Sequence, residues 1–278
     1  MERFGLIGDP VAHSLSPDIH RMLFEAYGID AVYLPMRVPA EKPGLILEAV
    51  DMLSLSGFNV TMPHKETVLP LLTELDEGAR QAGCVNTVIC RRGERVGYTT
   101  DGDGFAAGLS TIGRGLTGET VAILGAGGAA KAVALRAAKD GAKRICAFCR
   151  TEAAGRRLKE ALRTETGADM DVLPFDMGLL EAQGSTLLVN ATPIGMSGCR
   201  SEFGDYSFLD ALPMGALVCD LIYYPRETRL LCEAARRGLA VQNGLPMLLW
   251  QAFFAFSLFC GVMPGYGDYR RIYELLSK

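Results

Sequence analysis

Apolar residues recur with two different spacings along the first hundred residues, and these spacings predict strands and helices in turn. Strands are predicted where apolar residues run together or alternate, at 4–8, 31–38 and 58–62. Helices are predicted where apolar residues recur at helical spacing, at 17–27, 45–53 and 74–82. A hairpin (85–92 with 95–98), a helix at 105–112 and a polar, glycine-rich linker at 113–118 complete this part of the chain.

A second alternating series begins at residue 120. Its predicted strands lie at 120–124, 144–149, 170–173, 187–192 and 216–222. Helices are predicted between several of them, at 129–140, 152–166 and 228–237. Strands and helices that alternate in this way form a parallel sheet covered by helices, so the chain is predicted to be an α/β protein.

Composition narrows the class of protein. The 278 residues suffice for two domains of ordinary size, and 49% hydrophobic with 22% charged residues is typical of a soluble globular protein. The net charge of −4 gives no reason to expect nucleic acid or an anionic membrane as a partner. Residues 245–264 are strongly apolar, but Pro246 and Gly261 confine the helix to about 15 residues, short for a bilayer, so a buried core helix is expected.

The eight cysteines are scattered, and only Cys146 and Cys149 have a spacing typical of metal or redox sites. Both lie in a predicted strand, where residues three apart face opposite sides, so no metal site and no disulfide is expected. Reduced, buried cysteines are typical of a cytoplasmic protein. The N-terminus lacks the features of a signal peptide, which also favours the cytoplasm.

A glycine-rich turn follows the first strand of the second series. Gly125, Gly127 and Ala130 match G-x-G-x-x-A between a strand and a helix, the arrangement that binds the pyrophosphate of a dinucleotide. The next strand ends in Cys149, Arg150 and Thr151 rather than in an acidic residue. A guanidinium and a hydroxyl fit a 2′-phosphate, which predicts NADP as the cofactor. The alternative is a solvated arginine at a strand end.

Three polar side chains gather where the strand at 58–62 ends. Asn59 and Thr61 lie on the same face of that strand, and Lys65 follows Pro63, which stops it. Amide, hydroxyl and ammonium groups together suit a small polyhydroxylated acid. The alternative is a polar strand end with a solvated lysine.

Ser14 and Ser16 place two hydroxyls two residues apart in an extended segment, where both can donate to one carboxylate. Ser16 has an alternative role as the N-cap of the helix that starts at Pro17.

Asp101 is a candidate partner for Lys65, and its alternative role is to cap the helix that follows it. A lysine held by an aspartate can give a proton to a ketone oxygen as a hydride reduces it, so Lys65 and Asp101 are the candidate catalytic pair.

The sequence as a whole resembles the shikimate dehydrogenase family. Eight signatures of that family occur in order over nearly the entire chain: Gly8-x-Pro10-x-x-His13-Ser14-x-Ser16-Pro17, Asn59-Val60-Thr61-x-Pro63-x-Lys65, Val85-Asn86-Thr87, Thr100-Asp101-Gly102, Gly125-x-Gly127-Gly128-Ala129, Asn190-Ala191-Thr192-Pro193-x-Gly195-Met196, Asp220-x-x-Tyr223-x-Pro225 and Gly244-x-x-Met247-Leu248-x-x-Gln251-Ala252. The family often has asparagine where Arg21 and Thr99 stand, and Thr99 lies close enough to Asp101 to change how its carboxylate is held.

The resemblance implies roles for individual residues. Ser14 and Ser16 would hold the substrate carboxylate, and Lys65 with Asp101 would be catalytic. The substrate hydroxyls would be bound by Asn59, Thr61, Asn86 and Gln251, with Tyr223 nearby. The NADP site would be lined by Gly125, Ala126, Gly127, Gly128, Ala129, Arg150, Thr151, Thr192, Gly244 and Met247.

The resemblance also implies two α/β domains and an activity. Residues 1–105, completed by C-terminal helices at 244–278, would form a substrate domain, and residues 106–243 a Rossmann-like, doubly wound NADP-binding domain. The reaction would be the NADPH-dependent reduction of 3-dehydroshikimate to shikimate, with these small molecules as partners and with neither nucleic acid nor a membrane as a partner. A homodimer is retained as an alternative to a monomer. Rival functions are a quinate or dual quinate/shikimate dehydrogenase, a methylenetetrahydrofolate dehydrogenase, and a non-catalytic NADP-binding regulator.

Overall fold

The computed structural model describes residues 1–176 and 184–277. The chain divides into two compact units, Met1–Gly104 with Leu249–Lys278, and Phe105–Leu248. The α/β class predicted from the sequence is confirmed, since each unit is built on a sheet with helices around it. Within the described residues, no helix combines the length and the apolar composition that crossing a membrane requires.

The first unit is built on a mixed six-stranded sheet. Its strands are β1 (Glu2–Gly8), β2 (Ala31–Arg37), β3 (Gly57–Val60), β4 (Glu74–Leu75), β5 (Thr87–Arg91) and β6 (Glu94–Tyr98). They lie in the order β2-β1-β3-β5-β6-β4. The first three are parallel, whereas β5 runs antiparallel to β3 and to β6.

Helices connect these strands and return to them at the end of the chain. They are α1 (Ser16–Tyr27), α2 (Leu45–Leu53), α3 (Glu77–Ala82) and α4 (Asp101–Ser110), with α8 (Leu245–Cys260) and α9 (Tyr266–Leu276) near the C-terminus. The prediction of a helix at 74–82 is wrong for its first residues, because the observed helix α3 begins only at Glu77. Residues 74–75 instead pair with β6, and Asp76 caps α3 by accepting from the Ala79 N–H at 2.8 Å.

The second unit contains an all-parallel sheet. Its elements are β7 (Thr120–Leu124), α5 (Gly128–Lys139), β8 (Arg144–Cys149), α6 (Glu152–Thr166), β9 (Asp171–Pro174), β10 (Leu187–Asn190), β11 (Leu217–Asp220), α7 (Arg229–Arg236) and β12 (Ala240–Gln242). The order β12-β11-β10-β7-β8-β9 is that of a doubly wound Rossmann sheet, in which the strand order reverses between β7 and β10. Ligands of such sheets bind at this switch point, beyond the carboxyl ends of the strands.

A buried histidine of the first unit has no polar partner among the described residues. His20, on α1, is inaccessible to solvent, and neither ring nitrogen has a hydrogen-bond partner among the described residues. Its ring stacks on Tyr33 at a centroid distance of 4.2 Å and lies against Phe256 and Phe259. Burial lowers the pKa of His20 to about 3, so the imidazole is neutral in the folded protein.

This burial predicts an acid-sensitive stability. Between about pH 6.5 and about pH 3 the unfolded chain binds a proton at His20 that the folded chain does not, so stability falls as the pH is lowered through this window. His20→Phe keeps an aromatic ring on Tyr33 and removes the titration. When the pH is lowered from about 7 to about 4.5, the unfolding free energy of the variant should fall by about 3 kcal/mol less than that of wild type. Urea unfolding at both pH values measures it.

Ile19→Val, which shortens the buried side chain next to His20 and removes no titrating group, provides the control for this experiment. It should lower the unfolding free energy by about the same amount at both pH values and so retain the wild-type dependence on pH. If His20→Phe and wild type show the same dependence, the imidazole of His20 is protonated normally in the folded state.

Candidate functional site

In the first unit, the polar residues predicted to bind substrate collect at one edge of the sheet. The parallel strands β1, β2 and β3 all end there, and their carboxyl ends are followed by the loop that carries Ser14 and Ser16 and by the turn that carries Thr61 and Lys65. Because β5 is antiparallel to β3 and β6 to β5, Asn86 precedes β5 and Asp101 follows β6 at the same edge. Strand direction therefore brings together residues that are far apart in the sequence.

Lys65 and Asp101 form an ion pair at this edge. The Lys65 ammonium donates to Oδ2 of Asp101 at 2.5 Å, with side-chain exposures of 21% and 5%. The other carboxylate oxygen, Oδ1, accepts from Nδ2 of Asn86 at 2.9 Å. The carboxylate is thus held from both sides, while the lysine keeps part of its surface open to a ligand.

Asn86 is the centre of the hydrogen bonds around this pair. Its Nδ2 also donates to Oγ1 of Thr100 at 2.9 Å and to Oε1 of Gln251 at 3.3 Å, and its Oδ1 accepts from the Thr100 N–H at 2.9 Å. Thr100 Oγ1 in turn donates to the Gln251 carbonyl at 3.0 Å. Asn86 therefore orients Asp101 and fixes Gln251 of α8 beside it.

Asn59 is almost fully engaged within the protein. Its two amide hydrogens go to the Asn86 carbonyl at 3.0 Å and to Oγ1 of Thr87 at 2.9 Å. Its Oδ1 accepts from the hydroxyl of Tyr33 at 2.7 Å. Only the second lone pair of Oδ1 is left for a ligand.

The turn between β3 and Lys65 is anchored by the residue before the lysine. His64 is buried, and its Nε2 lies 2.7 Å from the Val38 carbonyl, while its Nδ1 lies 3.2 Å from Oγ1 of Thr67. The Lys65 carbonyl accepts from the Val85 N–H at 2.8 Å, next to Asn86. These contacts tie the backbone that carries the ammonium to two neighbouring segments.

The loop after β1 corrects one alternative reading of the sequence. Ser16 is the first residue of α1 and not its cap, because Leu15 occupies the N-cap position and no side chain there makes a cap hydrogen bond. Instead, Oγ of Ser14 accepts from the Ser16 N–H at 3.2 Å. Thr61 packs beside the start of this loop, since a Cβ at Gly8 would lie 2.3 Å from its Cγ2.

Arg21 and Thr99, where the sequence departs from the family pattern, lie in different surroundings. Arg21 makes ion pairs with Asp18 and Glu25 on the surface of α1. Oγ1 of Thr99 is buried and has no hydrogen-bond partner among the described residues. It therefore does not hold the Asp101 carboxylate, whose oxygens bind Lys65 and Asn86.

In the second unit, the glycine-rich turn lies at the switch point of the sheet. Gly125 directly follows β7 and has a φ of +111°, a conformation that residues with a Cβ rarely adopt. A Cβ there would lie 3.2 Å from the Ala191 carbonyl oxygen and 3.2 Å from Cγ2 of Thr192. Gly127 is the N-cap of α5 and supplies no side-chain cap, which leaves the helix start open to a phosphate. This backbone fits a dinucleotide.

The end of β8 carries the residues predicted to distinguish NADP from NAD. Arg150 is exposed. Thr151 is the N-cap of α6, and its Oγ1 accepts from the Ala154 N–H at 3.4 Å. Capping uses a lone pair of the hydroxyl and leaves its hydrogen for a phosphate oxygen.

The remaining predicted residues of this unit follow β10 and β11 or begin α8. Thr192 donates its hydroxyl hydrogen to Oδ1 of Asn190 at 2.6 Å. A Cβ at Gly244 would lie 2.1 Å from the Leu221 carbonyl oxygen, so close backbone packing alone requires a glycine there. Tyr223 lies between β11 and α7 in the second unit, whereas the other predicted substrate residues belong to the first. Met247 lies in the first turn of α8.

Comparison with known proteins shows the family of this chain. The family model described as the shikimate dehydrogenase substrate binding domain matches residues 6–88. A protein of Geobacter metallireducens named shikimate dehydrogenase (NADP(+)) is 40% identical over 271 residues, covering 96% of this chain and 94% of that protein. The chain belongs to the shikimate dehydrogenase family.

Solved structures of family members are similar over the full length. A shikimate 5-dehydrogenase from Thermus thermophilus, in complex with NADP(H) and shikimate, has a TM-score of 0.82 and 35% identity and covers 99% of this chain and 100% of its own. The enzyme from Listeria monocytogenes, in complex with shikimate and NAD, has a TM-score of 0.86 and 33% identity, covering 98% and 96%. The expected family fold, a substrate domain and a Rossmann-like domain with returning C-terminal helices, is thereby confirmed.

Several polar residues of this family member had no role in the sequence-based prediction. Tyr33, Thr87 and Thr100 hold the amides of Asn59 and Asn86, and Asp220 holds Asn190. A sequence signal existed for Thr87, Thr100 and Asp220, which stand in family signatures, but none for the contact of Tyr33. Among the described residues, no group of three or more His, Cys, Asp or Glu side chains could hold a metal ion.

The hydrogen bond between Ser14 and Ser16 predicts unequal effects on stability. Ser14→Ala removes the acceptor of the Ser16 N–H and should cost about 1 kcal/mol of unfolding free energy. Ser16→Ala removes no helix cap and should cost less. Urea unfolding of both variants measures the difference. A larger loss in Ser16→Ala would mean that its hydroxyl, rather than that of Ser14, stabilises the start of α1.

Proposed function

We propose that this chain catalyses the reversible, NADPH-dependent reduction of 3-dehydroshikimate to shikimate, a step towards chorismate and the aromatic amino acids. The observation that supports this most directly is the ion pair of Lys65 and Asp101, at the sheet edge that also carries the Ser14 and Ser16 loop. A ketone with ring hydroxyls and a carboxylate needs a proton donor, hydroxyl-binding groups and carboxylate-binding donors, and this edge holds all three. Relatives named for the same reaction extend over nearly the whole chain.

Lys65 and Asp101 move the proton. The bound NADPH supplies the hydride to the ketone carbon. The carbonyl oxygen becomes an alkoxide as this happens, and the Lys65 ammonium gives it a proton, which yields the alcohol. In the reverse direction the neutral amine takes that proton back, and Asp101 stabilises the ammonium that forms. Because Asn86 holds the second carboxylate oxygen, Asp101 keeps its position throughout.

The rest of the substrate is bound by neutral donors and acceptors. Ser14 and Ser16 bind the carboxylate, each through a hydroxyl hydrogen. The ring hydroxyls are bound by Asn59, Thr61, Asn86 and Gln251, and Tyr223 of the second unit is a further substrate-binding residue. The unit that contains Lys65 is accordingly the substrate domain, and residues 105–248 form the NADP domain.

The cofactor is held by the sheet of the second unit. The backbone from Gly125 to Ala129 binds the pyrophosphate at the start of α5. Arg150 and Thr151 bind the 2′-phosphate. Thr192, Gly244 and Met247 complete the wall of the site. None of the eight cysteines, all of which the structure describes, forms a disulfide, and this supports a reducing, cytoplasmic location; they are Cys84, Cys90, Cys146, Cys149, Cys199, Cys219, Cys232 and Cys260.

A steady-state assay tests the proposed function. Shikimate and quinate are each oxidised with NADP and with NAD, and the appearance of reduced cofactor is followed. We expect kcat/KM to be highest for shikimate with NADP. A higher kcat/KM for quinate would assign the chain to the quinate branch, and tight NADPH binding without turnover would indicate a regulator.

Truncation of Lys65 provides the sharpest test of its role. Lys65→Met removes the proton donor but leaves the serines, the amides and the cofactor loop in place. General acid–base assistance is worth about 10²–10⁴ in rate, so kcat should fall by about that factor. The KM for shikimate should change little, as expected of a residue that acts mainly in the transition state. Stopped-flow and steady-state kinetics of shikimate oxidation measure both values.

A double-mutant cycle provides the control for that result. Asp101→Asn alone should also slow turnover, and the double variant should lose much less activity than the two single losses combined, because the residues act as a pair. If the losses simply multiply, Lys65 and Asp101 act independently. A Lys65→Met enzyme with most of its kcat would leave Lys65 a binding residue only.

Arg150 should distinguish the two cofactors. Arg150→Ala removes a charge-assisted contact to the 2′-phosphate and should raise the KM for NADPH about 10- to 100-fold while leaving the KM for NADH nearly unchanged. The matched control is Arg163→Ala, which removes an exposed arginine of α6 that pairs with Glu160. Equal effects of Arg150→Ala on both cofactors would show that the 2′-phosphate is bound elsewhere.

A further inference from the structure

A buried carboxylate with no cationic partner among the described residues ends β11. Asp220 is inaccessible to solvent, and its Oδ1 accepts from Nδ2 of Asn190 at 3.0 Å and from the Ile222 N–H at 3.1 Å. Its Oδ2 accepts from the hydroxyl of Thr228 at 2.6 Å. Burial raises the pKa of Asp220 to about 6, although these hydrogen bonds oppose the change. A carboxylate is costly to bury, so its presence needs an explanation.

Asn190 links Asp220 to the turn at 192–194, which follows β10. Its Oδ1 accepts from the N–H of Thr192 at 3.1 Å and from the Thr192 hydroxyl at 2.6 Å. Its Nδ2 donates to the Ile194 carbonyl at 3.1 Å as well as to Asp220. Oγ1 of Thr192 then accepts from the Ile194 N–H at 3.2 Å. The turn at 192–194 is therefore shaped by one amide, and that amide is held by Asp220.

The other end of the network is a helix. Thr228 is the N-cap of α7, and its Oγ1 accepts from the Leu231 N–H while its hydrogen goes to Asp220. Gly195 passes beside it, since a Cβ at Gly195 would lie 3.6 Å from Cβ of Thr228. Four side chains thus link the ends of β10 and β11 to α7: Thr192, Asn190, Asp220 and Thr228.

This network borders the glycine-rich turn. Thr192 faces Gly125 across the switch point, with its Cγ2 3.2 Å from where a Cβ of Gly125 would be. The turn at 192–194 follows β10 and the glycine-rich turn follows β7, the two strands between which the sheet reverses. A dinucleotide bound there meets both turns.

We propose that Asp220 is a positioning residue for the cofactor, which through Asn190 holds the turn at 192–194 in the shape that binds NADPH. This inference rests on the proposed function and deepens it, since it assigns a role at the same cofactor site to a residue that touches neither substrate nor cofactor. Without the carboxylate, Nδ2 of Asn190 keeps the Ile194 carbonyl as an acceptor but loses Asp220, and the turn samples other conformations. Apparent affinity then falls in proportion to the fraction of molecules whose turn is correctly shaped.

The test uses Asp220→Ala, Thr228→Val and Thr228→Ser in the full-length protein. NADPH dissociation constants are measured by fluorescence titration, together with kcat and the KM for shikimate at saturating NADPH. Asp220→Ala and Thr228→Val should raise the NADPH Kd about tenfold, equivalent to a competent fraction of about one tenth. Thr228→Ser keeps the hydroxyl and should therefore retain the wild-type affinity for NADPH. In all three, kcat and the KM for shikimate should remain within about twofold of wild type.

A matched control separates positioning from simple loss of stability. Val218 is buried on β11, two residues before Asp220, and Val218→Ala should lower the melting temperature without changing the NADPH Kd. The proposal is overturned if folded Thr228→Val or Asp220→Ala binds NADPH as wild type does. It is also overturned if Val218→Ala weakens NADPH binding as much as they do. Because the titration needs no turnover, failure of the proposed function shows separately, as a wild-type protein that binds NADPH but does not oxidise shikimate.

Discussion

Parallel strand pairing is the constraint on which both sites depend. In the first unit β1, β2 and β3 run in one direction, and in the second all six strands do, so the segments that follow them emerge at a common edge. The strand interiors are largely apolar and buried, and the polar residues lie near the strand ends or in the segments that adjoin them. Folding the cores therefore also brings the polar residues together, and no separate interaction is needed to gather them.

A buried carboxylate held by an asparagine occurs in each unit, with different consequences. Asp101 binds Asn86 on one oxygen and an ammonium on the other, so its charge is matched and it can take part in proton transfer. Within the described part of the chain, Asp220 binds Asn190 and other neutral donors only. These neutral donors only partly offset the effect of burial, so burial raises the pKa of Asp220. An unmatched charge of this kind suits a structural anchor better than a reactive group.

The sequence predicted the elements whose periodicity is strong and missed those that depend on distant contacts. The bounds of β7, β8, α2 and α6 agree with prediction to the residue. β4 was missed because a two-residue strand has no periodicity and exists only through its pairing with β6. The N-cap alternative for Ser16 was wrong because Ser14, two residues earlier, supplies the hydroxyl. The bond from Tyr33 to Asn59 spans 26 residues and has no local sequence pattern that could reveal it.

The hydrogen bonds that Asn59 makes within the protein determine which kind of ligand group it can bind. Both of its amide hydrogens are used inside the protein, and Tyr33 supplies one of the two hydrogens that its oxygen can accept. A ligand group that reaches this oxygen must bring a hydrogen of its own. An alcohol meets that requirement, whereas a ketone or carboxylate oxygen would set two lone pairs against each other. An amide without internal hydrogen bonds can bind a donor or an acceptor, whereas Asn59 can bind only a donor. It therefore disfavours a substrate ring that is turned so that its carbonyl oxygen lies against the Asn59 oxygen.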